Sequence, residues 1–274
     1  MFCGSVECLD FAIRRPKTVQ NGASVNWIAS NLGLIFDLTI NHVRLAIIPI
    51  LLGFVIAVPL GWVASRNRVA RTVIVTTGSL LYTIPSLPLF VILPVILGTR
   101  ILDDANLVVA LTIYAVAIML RSATDAFGSV DRAIIESAKA TGFSRGGRFW
   151  RVEFPLAGPV LIAGLRVVSV STIALVSVGV IIGSENLGYL FQNGKQRGIL
   201  EEVVVGIVMS LLIALVFDLI LVAIGRILMP WSRVSDRRSR RGRSSDGEPD
   251  ADADIDADSA RSPRMLAHPG TGAR

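Results

Sequence analysis

A chain of 274 residues with 52% hydrophobic side chains and a formal net charge of +6 has the length of one or two soluble domains, but uncharged runs of membrane-spanning length recur along it and argue for a bilayer instead. Cys3, Cys8, His42 and His268 are its only cysteines and histidines, and none has partners at metal-ligand spacing, so no disulfide framework or metal site is expected. The cations sit in loops beside apolar runs, a pattern of membrane orientation rather than of nucleic-acid binding.

Residues 1–30 do not read as a signal peptide, because Arg14, Arg15 and Lys17 follow the short apolar patch around Phe11 instead of preceding it. This segment is expected to be disordered or a start-site extension, and the spans are expected within residues 31–231. The first span covers residues 45–64, interrupted by Pro49, Gly53, Pro59 and Gly61 and closed by Arg66, Arg68 and Arg71. Residues 31–42 contain Asp37 and are set outside it as interfacial. A second span, residues 72–98, is long enough to tilt, and Pro85, Pro88 and Pro94 predict a bend. Such a kink either opens space along a solute path or merely packs.

A third span takes residues 105–120 and leads into a charged loop, residues 121–155. The fourth begins after Pro155 and reaches Gly183, with Arg166 expected to snorkel towards headgroups and an apolar core over residues 167–182. Ser169, Ser171, Thr172 and Ser177 along it suit close helix contacts or a polar lining. Residues 184–202 read as a polar loop. The fifth span, residues 203–225, holds Asp218, which is either a functional carboxylate or a partner for Arg226 or for a cation on another helix. In the tail, residues 232–274, the basic block from Arg237 to Arg243 precedes alternating Asp250, Asp252 and Asp254. It has too little apolar surface to fold and is expected to be disordered, its basic block touching anionic lipid or serving orientation only.

Arg66, Arg68, Arg71, Arg121, Arg132, Lys139, Arg145, Arg148, Arg151 and the cations after the last span fall on one side. Arg100, Lys195 and Arg197 fall on the other. The positive-inside rule then gives five spans with the N-terminus out and the C-terminus in, Arg14, Arg15 and Lys17 dissenting.

The loop that this arrangement puts inside is the most informative stretch. In residues 131–155, DRAIIESAKATGFSRGGRFWRVEFP, the residues Ile134, Ile135, Ala138 and Thr141 give one apolar face to a short helix that Gly142 stops. A cationic amphipathic helix between spans lies on lipid or docks into a protein groove. Glu136-Ser137-Ala138, three residues, Gly142, nine residues, Val152, one residue, Phe154-Pro155 resembles the EAA loop of ABC importer permeases, with all gaps kept and Ser137, Val152 and Phe154 in place of that family's Ala, Ile and Leu. The alternative is a basic surface loop held inside by its charge.

The resemblance implies an all-α, MetI-like ABC permease fold with about five transmembrane helices, multi-pass in the bacterial plasma (inner) membrane. It further implies that Glu136, Ser137, Ala138, Gly142 and Pro155 couple the chain to an ABC ATPase. The segment from Thr83 to Leu89, TIPSLPL, is similar to one in the osmoprotectant branch, the glycine betaine, carnitine and choline importers. Thr83, Pro85, Ser86 and Asp218 are the candidate path residues. Tyr82, Tyr114 and Trp62 offer aromatic contacts to a quaternary ammonium, or pack towards lipid. No phosphate-cradling motif is present, since Gly142–Gly147 runs into Arg148 without the required lysine. Hence no catalytic residue, metal or cofactor is expected on this chain, ATP being held by the partner subunit. The implied partners are that ATPase, a second permease chain (identical or paralogous), an extracytoplasmic solute-binding protein and membrane lipid, with no nucleic acid. The rival expectations are a permease for amino acids or another small solute, and a stand-alone secondary transporter or channel. The missing inverted repeat speaks against a secondary transporter.

Overall fold

Helices make up every regular element of the computed structural model, which describes residues 27–100 and 102–230. The expectations for Cys3, Cys8, Arg14, Arg15, Lys17, His268 and the acidic and basic tail lie outside those residues. Among the described residues, four helices are long and apolar enough to cross a membrane, and a bent pair makes a fifth crossing when counted as one.

The first helix, α1 (Leu32–Arg66), has 35 residues. At 1.5 Å per residue it is about 50 Å long, well beyond a hydrocarbon core of roughly 30 Å. It corrects the reading of residues 31–42 as a separate interfacial piece. Ile35, Leu38 and His42 are buried there, and Asp37, the charge that argued against a span, is exposed. A helix tolerates a single charge on its unpacked face. The helical turn at residues 27–30 brings half-buried Trp27 against the core, so the bundle starts inside the segment assigned to the N-terminal extension. Gly53 and Gly61, read as breakers, are contact residues. A Cβ on Gly53 would stand 2.6 Å from the Cβ of Ala115, and one on Gly61 2.5 Å from that of Ala123. Small residues on both faces let two helix backbones approach closely.

Helices α2 (Arg68–Thr83) and α3 (Ser86–Leu97) meet at a 100° bend. The cause is local: Ile84 precedes a proline and both Ile84 and Pro85 are extended, which no continuous helix allows. Tyr114 donates its hydroxyl to the carbonyl of Ile84, filling an acceptor that the break exposes.

Helix α4 (Asp104–Gly128), capped by Asp103, packs against α1, α2, α3 and the helix that follows the loop. It runs on past residue 120, so residues 121–128 of the expected loop are helical and continuous with the third span. The loop folds as α5 (Arg132–Ala140), α6 (Arg145–Arg148) and a π-helical turn, Phe149–Glu153, which continues directly into α7 (Phe154–Val176). A 3₁₀ segment, Ser177–Ile182, ends at left-handed Gly183.

The stretch read as a polar loop contains α8 (Gly188–Arg197), lying against the last helix, α9 (Leu200–Leu228). Two apolar clusters hold the bundle. One gathers Leu45, Phe90, Leu107, Ile173 and Leu190; the other, nearer the loop, gathers Ala57, Met119, Ala123, Phe127 and Leu161. Most of α9 stays uncovered, with Leu211, Leu215 and Leu219 exposed, which requires an apolar environment beyond this chain.

Candidate functional site

The loop after α4 is built as an outward helix with a fixed back. Asp131 caps α5 by accepting from the Ala133 amide at 2.9 Å, satisfying one of the orphan donors of the first turn. At the other end Gly142 adopts φ +83°, and the Gly142 and Phe143 amides turn back to the Lys139 and Ala138 carbonyls at 3.0 and 3.2 Å. That left-handed stop is the one expected from the sequence. Glu136, Ser137, Ile134 and Phe143 are exposed. Ala138, by contrast, is only 7% exposed, so it seats α5 on its own bundle and is not part of the outer surface.

Behind α5 lies an anchor that sequence reasoning missed. Glu153 is 3% exposed and Arg148 4%. Arg148 Nε donates to Glu153 Oε1 at 2.7 Å, Arg66 Nη2 to both carboxylate oxygens at 2.7 and 2.9 Å, and Trp62 Nε1 to Oε2 at 2.6 Å. A π-helical repeat stacks residues five apart, which aligns Arg148 with Glu153 and aims both at the end of α1. The Arg66 guanidinium lies 4.3 Å over the Trp62 ring, and Phe149 meets Trp62 edge-on at 5.1 Å and Phe127 at 5.7 Å. A buried carboxylate with several charge-assisted donors is a rigid joint, because losing one partner strands a charge.

From the sequence, Arg66 and Arg148 are orientation cations and Trp62 a candidate aromatic contact; the structure gives all three to this joint. The available signal was Glu153 itself, the only acid in residues 142–155. Pro155, half-buried, sits in the first turn of α7, where a missing amide costs nothing.

The candidate path residues separate. Thr83 lines a cavity of about 500 Å³ between α2, α4 and α7, whereas Pro85 and Ser86 form the bend and the start of α3. Asp218 is not among the residues lining that cavity. It holds Arg166 in a two-point pair, 2.6 Å to Nε and 2.8 Å to Nη2. Its partner is therefore the cation on a neighbouring helix and not Arg226, and Arg166 is engaged by Asp218 instead of snorkelling.

A family model described as binding-protein-dependent transport system inner membrane component matches residues 50–234. The chain is 29% identical over 210 residues to the osmoprotectant import permease protein OsmW of Salmonella typhimurium, covering 76% of this chain and 97% of that protein. With the choline transport system permease protein OpuBB of Bacillus subtilis it shares 29% over 206 residues, covering 75% and 94%. Among solved structures, an inward-facing form of the MetNI methionine ABC transporter aligns with a TM-score of 0.63 at 21% identity, over 73% of this chain and 98% of that one. A crystal structure of an amino acid ABC transporter with histidines aligns with 0.59 at 16%, over 73% and 96%. At those identities the structures speak to the fold alone.

Proposed function

Since the chain belongs to the binding-protein-dependent transport system inner membrane components, we propose that it forms the membrane path of an ABC importer for quaternary-ammonium osmoprotectants, driven through α5 by a separate ATPase. The observation that carries the coupling role is the combination of an outward α5 with the Glu153 joint behind it. Force applied at Glu136, Ser137, Ile134 or Phe143 meets no slack. It passes through the π-helical turn into α7 and through Arg66 into α1.

Closure of the motor subunits would then favour one of two arrangements of α1 and α7, and alternation between them would change the side on which the path is open. The excess of cations at the loop end favours an N-terminus outside and loop and C-terminus inside. Uncovered α9 suits a second permease chain, and an extracytoplasmic binding protein would deliver the solute. The substrate class rests on the relatives, which include the permeases named for osmoprotectants, for choline, and for glycine betaine, carnitine and choline.

The test is ATP-dependent uptake by the chain reconstituted with its ATPase and binding protein. Glycine betaine, carnitine or choline should accumulate, and amino acids should not. Uptake of amino acids alone would move the substrate, and uptake without ATP would remove the ABC mechanism.

A further inference from the structure

The cavity between α2, α4 and α7 has a polar wall. Ser79, Tyr82 and Thr83 contribute from α2, Arg121 and Ser122 from α4, and Ser171 from α7. A second cavity, of about 550 Å³ between α1, α7 and α9, is by contrast lined almost wholly by aliphatic and aromatic side chains, as a surface for lipid tails would be. A volume of about 500 Å³ lies in the range of small-molecule sites.

Arg121 sets this cavity apart. It stands about 10 Å along the axis from the end of α4 at Gly128. Arg66 and Arg148 are held by Glu153, Arg71 by Asp125 and Arg166 by Asp218. Arg121, which is exposed, has no ion pair or hydrogen bond among the described residues; Arg44 on α1 has none either, but Arg121 is the arginine that lines this cavity. Its donors are therefore open to a ligand in the cavity, and the geometry of a guanidinium fork suits a carboxylate. Across the cavity on α2, Tyr82 is 56% exposed, its ring steadied edge-on at 6.2 Å by Tyr114, which lies about 10 Å along α4 from Arg121. An aromatic face of this kind attracts a quaternary ammonium.

We propose that this cavity is a zwitterion site in the transport path, where Arg121 takes the carboxylate of a betaine-type solute and Tyr82 takes its quaternary ammonium. The inference rests on the proposed importer function and narrows its substrate class: carboxylate-bearing betaines use the whole site, and choline, which has no carboxylate, uses only half. Ser79, Thr83 and Ser171 add hydroxyls for positioning. Because Ser171 lies on α7, the helix continuous with the loop, movement of α7 would open or close the site.

Two measurements test the assignment. The first is ATP-driven uptake of labelled glycine betaine and choline by the reconstituted complex, each normalised to that compound's affinity for the binding protein. Arg121→Gln should lower betaine uptake about tenfold or more relative to choline, with Arg121→Lys in between. Tyr82→Leu should lower both, and Tyr82→Phe should restore them. The second needs no binding protein: thiol labelling of Ser79→Cys in the permease–ATPase complex, with Cys3 and Cys8 replaced by serine. Millimolar glycine betaine should slow that labelling more than choline does, and Arg121→Gln should abolish the difference.

Equal effects of Arg121→Gln on the two compounds, or none, would make Arg121 a structural or lipid-anchoring cation and overturn the site. Labelling protection by choline equal to that by betaine would do the same. A wild-type complex that carries both compounds while the variants behave alike refutes the site but leaves the importer function standing. One that carries no quaternary ammonium compound refutes both.

Discussion

Replacing Glu153 probes the joint behind α5 most sharply. Glu153→Ala strands Arg148, which is 4% exposed and reaches water only if the turn around it opens, and leaves the Trp62 indole N–H without its acceptor. Arg66 is partly exposed and can turn to solvent, so most of the loss falls on Arg148. Removing one partner of such a buried pair costs about 3–5 kcal/mol. Glu153→Gln keeps one acceptor oxygen and should cost less, about 1.5–3 kcal/mol, the worth of a charged hydrogen bond. Releasing Arg148 should expose it to trypsin, so limited proteolysis of the purified protein should show new cleavage after Arg148 in both variants. Uptake per ATP hydrolysed should fall while the amount of inserted protein falls less. Arg148→Gln combined with Glu153→Gln should recover part of the loss, because no buried charge is then left unpaired. Wild-type proteolysis together with a wild-type coupling ratio in Glu153→Ala would refute the joint.

At Gly142 the obstacle is conformational, since no atom lies within 4 Å of a Cβ there but φ is +83°. Gly142→Ala and Gly142→Val should each cost about 1–2 kcal/mol and lower transport per ATP, and Gly142→Asn should be milder; unchanged uptake in Gly142→Val counts against the role of α5. Gly61→Leu should separate α1 from α4, whose backbone atoms at Ala123 and Thr124 already stand 2.9 Å from an added Cβ, lowering the melting temperature in detergent by an overpacking cost of about 1–3 kcal/mol or more. Asp218→Asn should reduce folded yield and uptake by leaving the Arg166 charge uncompensated, and adding Arg166→Gln should restore yield; a single variant with wild-type yield and uptake would make the pair dispensable.

How far the sequence discloses this molecule depends on the distance over which each feature is determined. The bend at Pro85 and the stop at Gly142 are set by one or two residues, and both were readable. The cores of α4, α7 and α9 follow from long uncharged runs. The first turns of α1 were obscured by Asp37, because hydropathy counts a charge without knowing that it lies on an unpacked face. Helix α8, GYLFQNGKQR, is polar overall and is held by its contact with α9, a tertiary cause that composition does not carry. Glu153 meets Trp62 and Arg66 from 91 and 87 residues away, so the fixed back of the loop was invisible while its spacing was plain. Arg121 was legible only as an orientation cation, because the absence of a partner is a property of the folded chain.

Coupling through α5 is the claim on which the rest depends, and a photoreactive amino acid placed at Phe143 tests it in the assembled complex. The account predicts an adduct with the ATPase subunit, and none when the same group is placed at Val95, exposed on α3. No ATPase adduct at position 143, in a complex that still takes up solute with ATP, would contradict it.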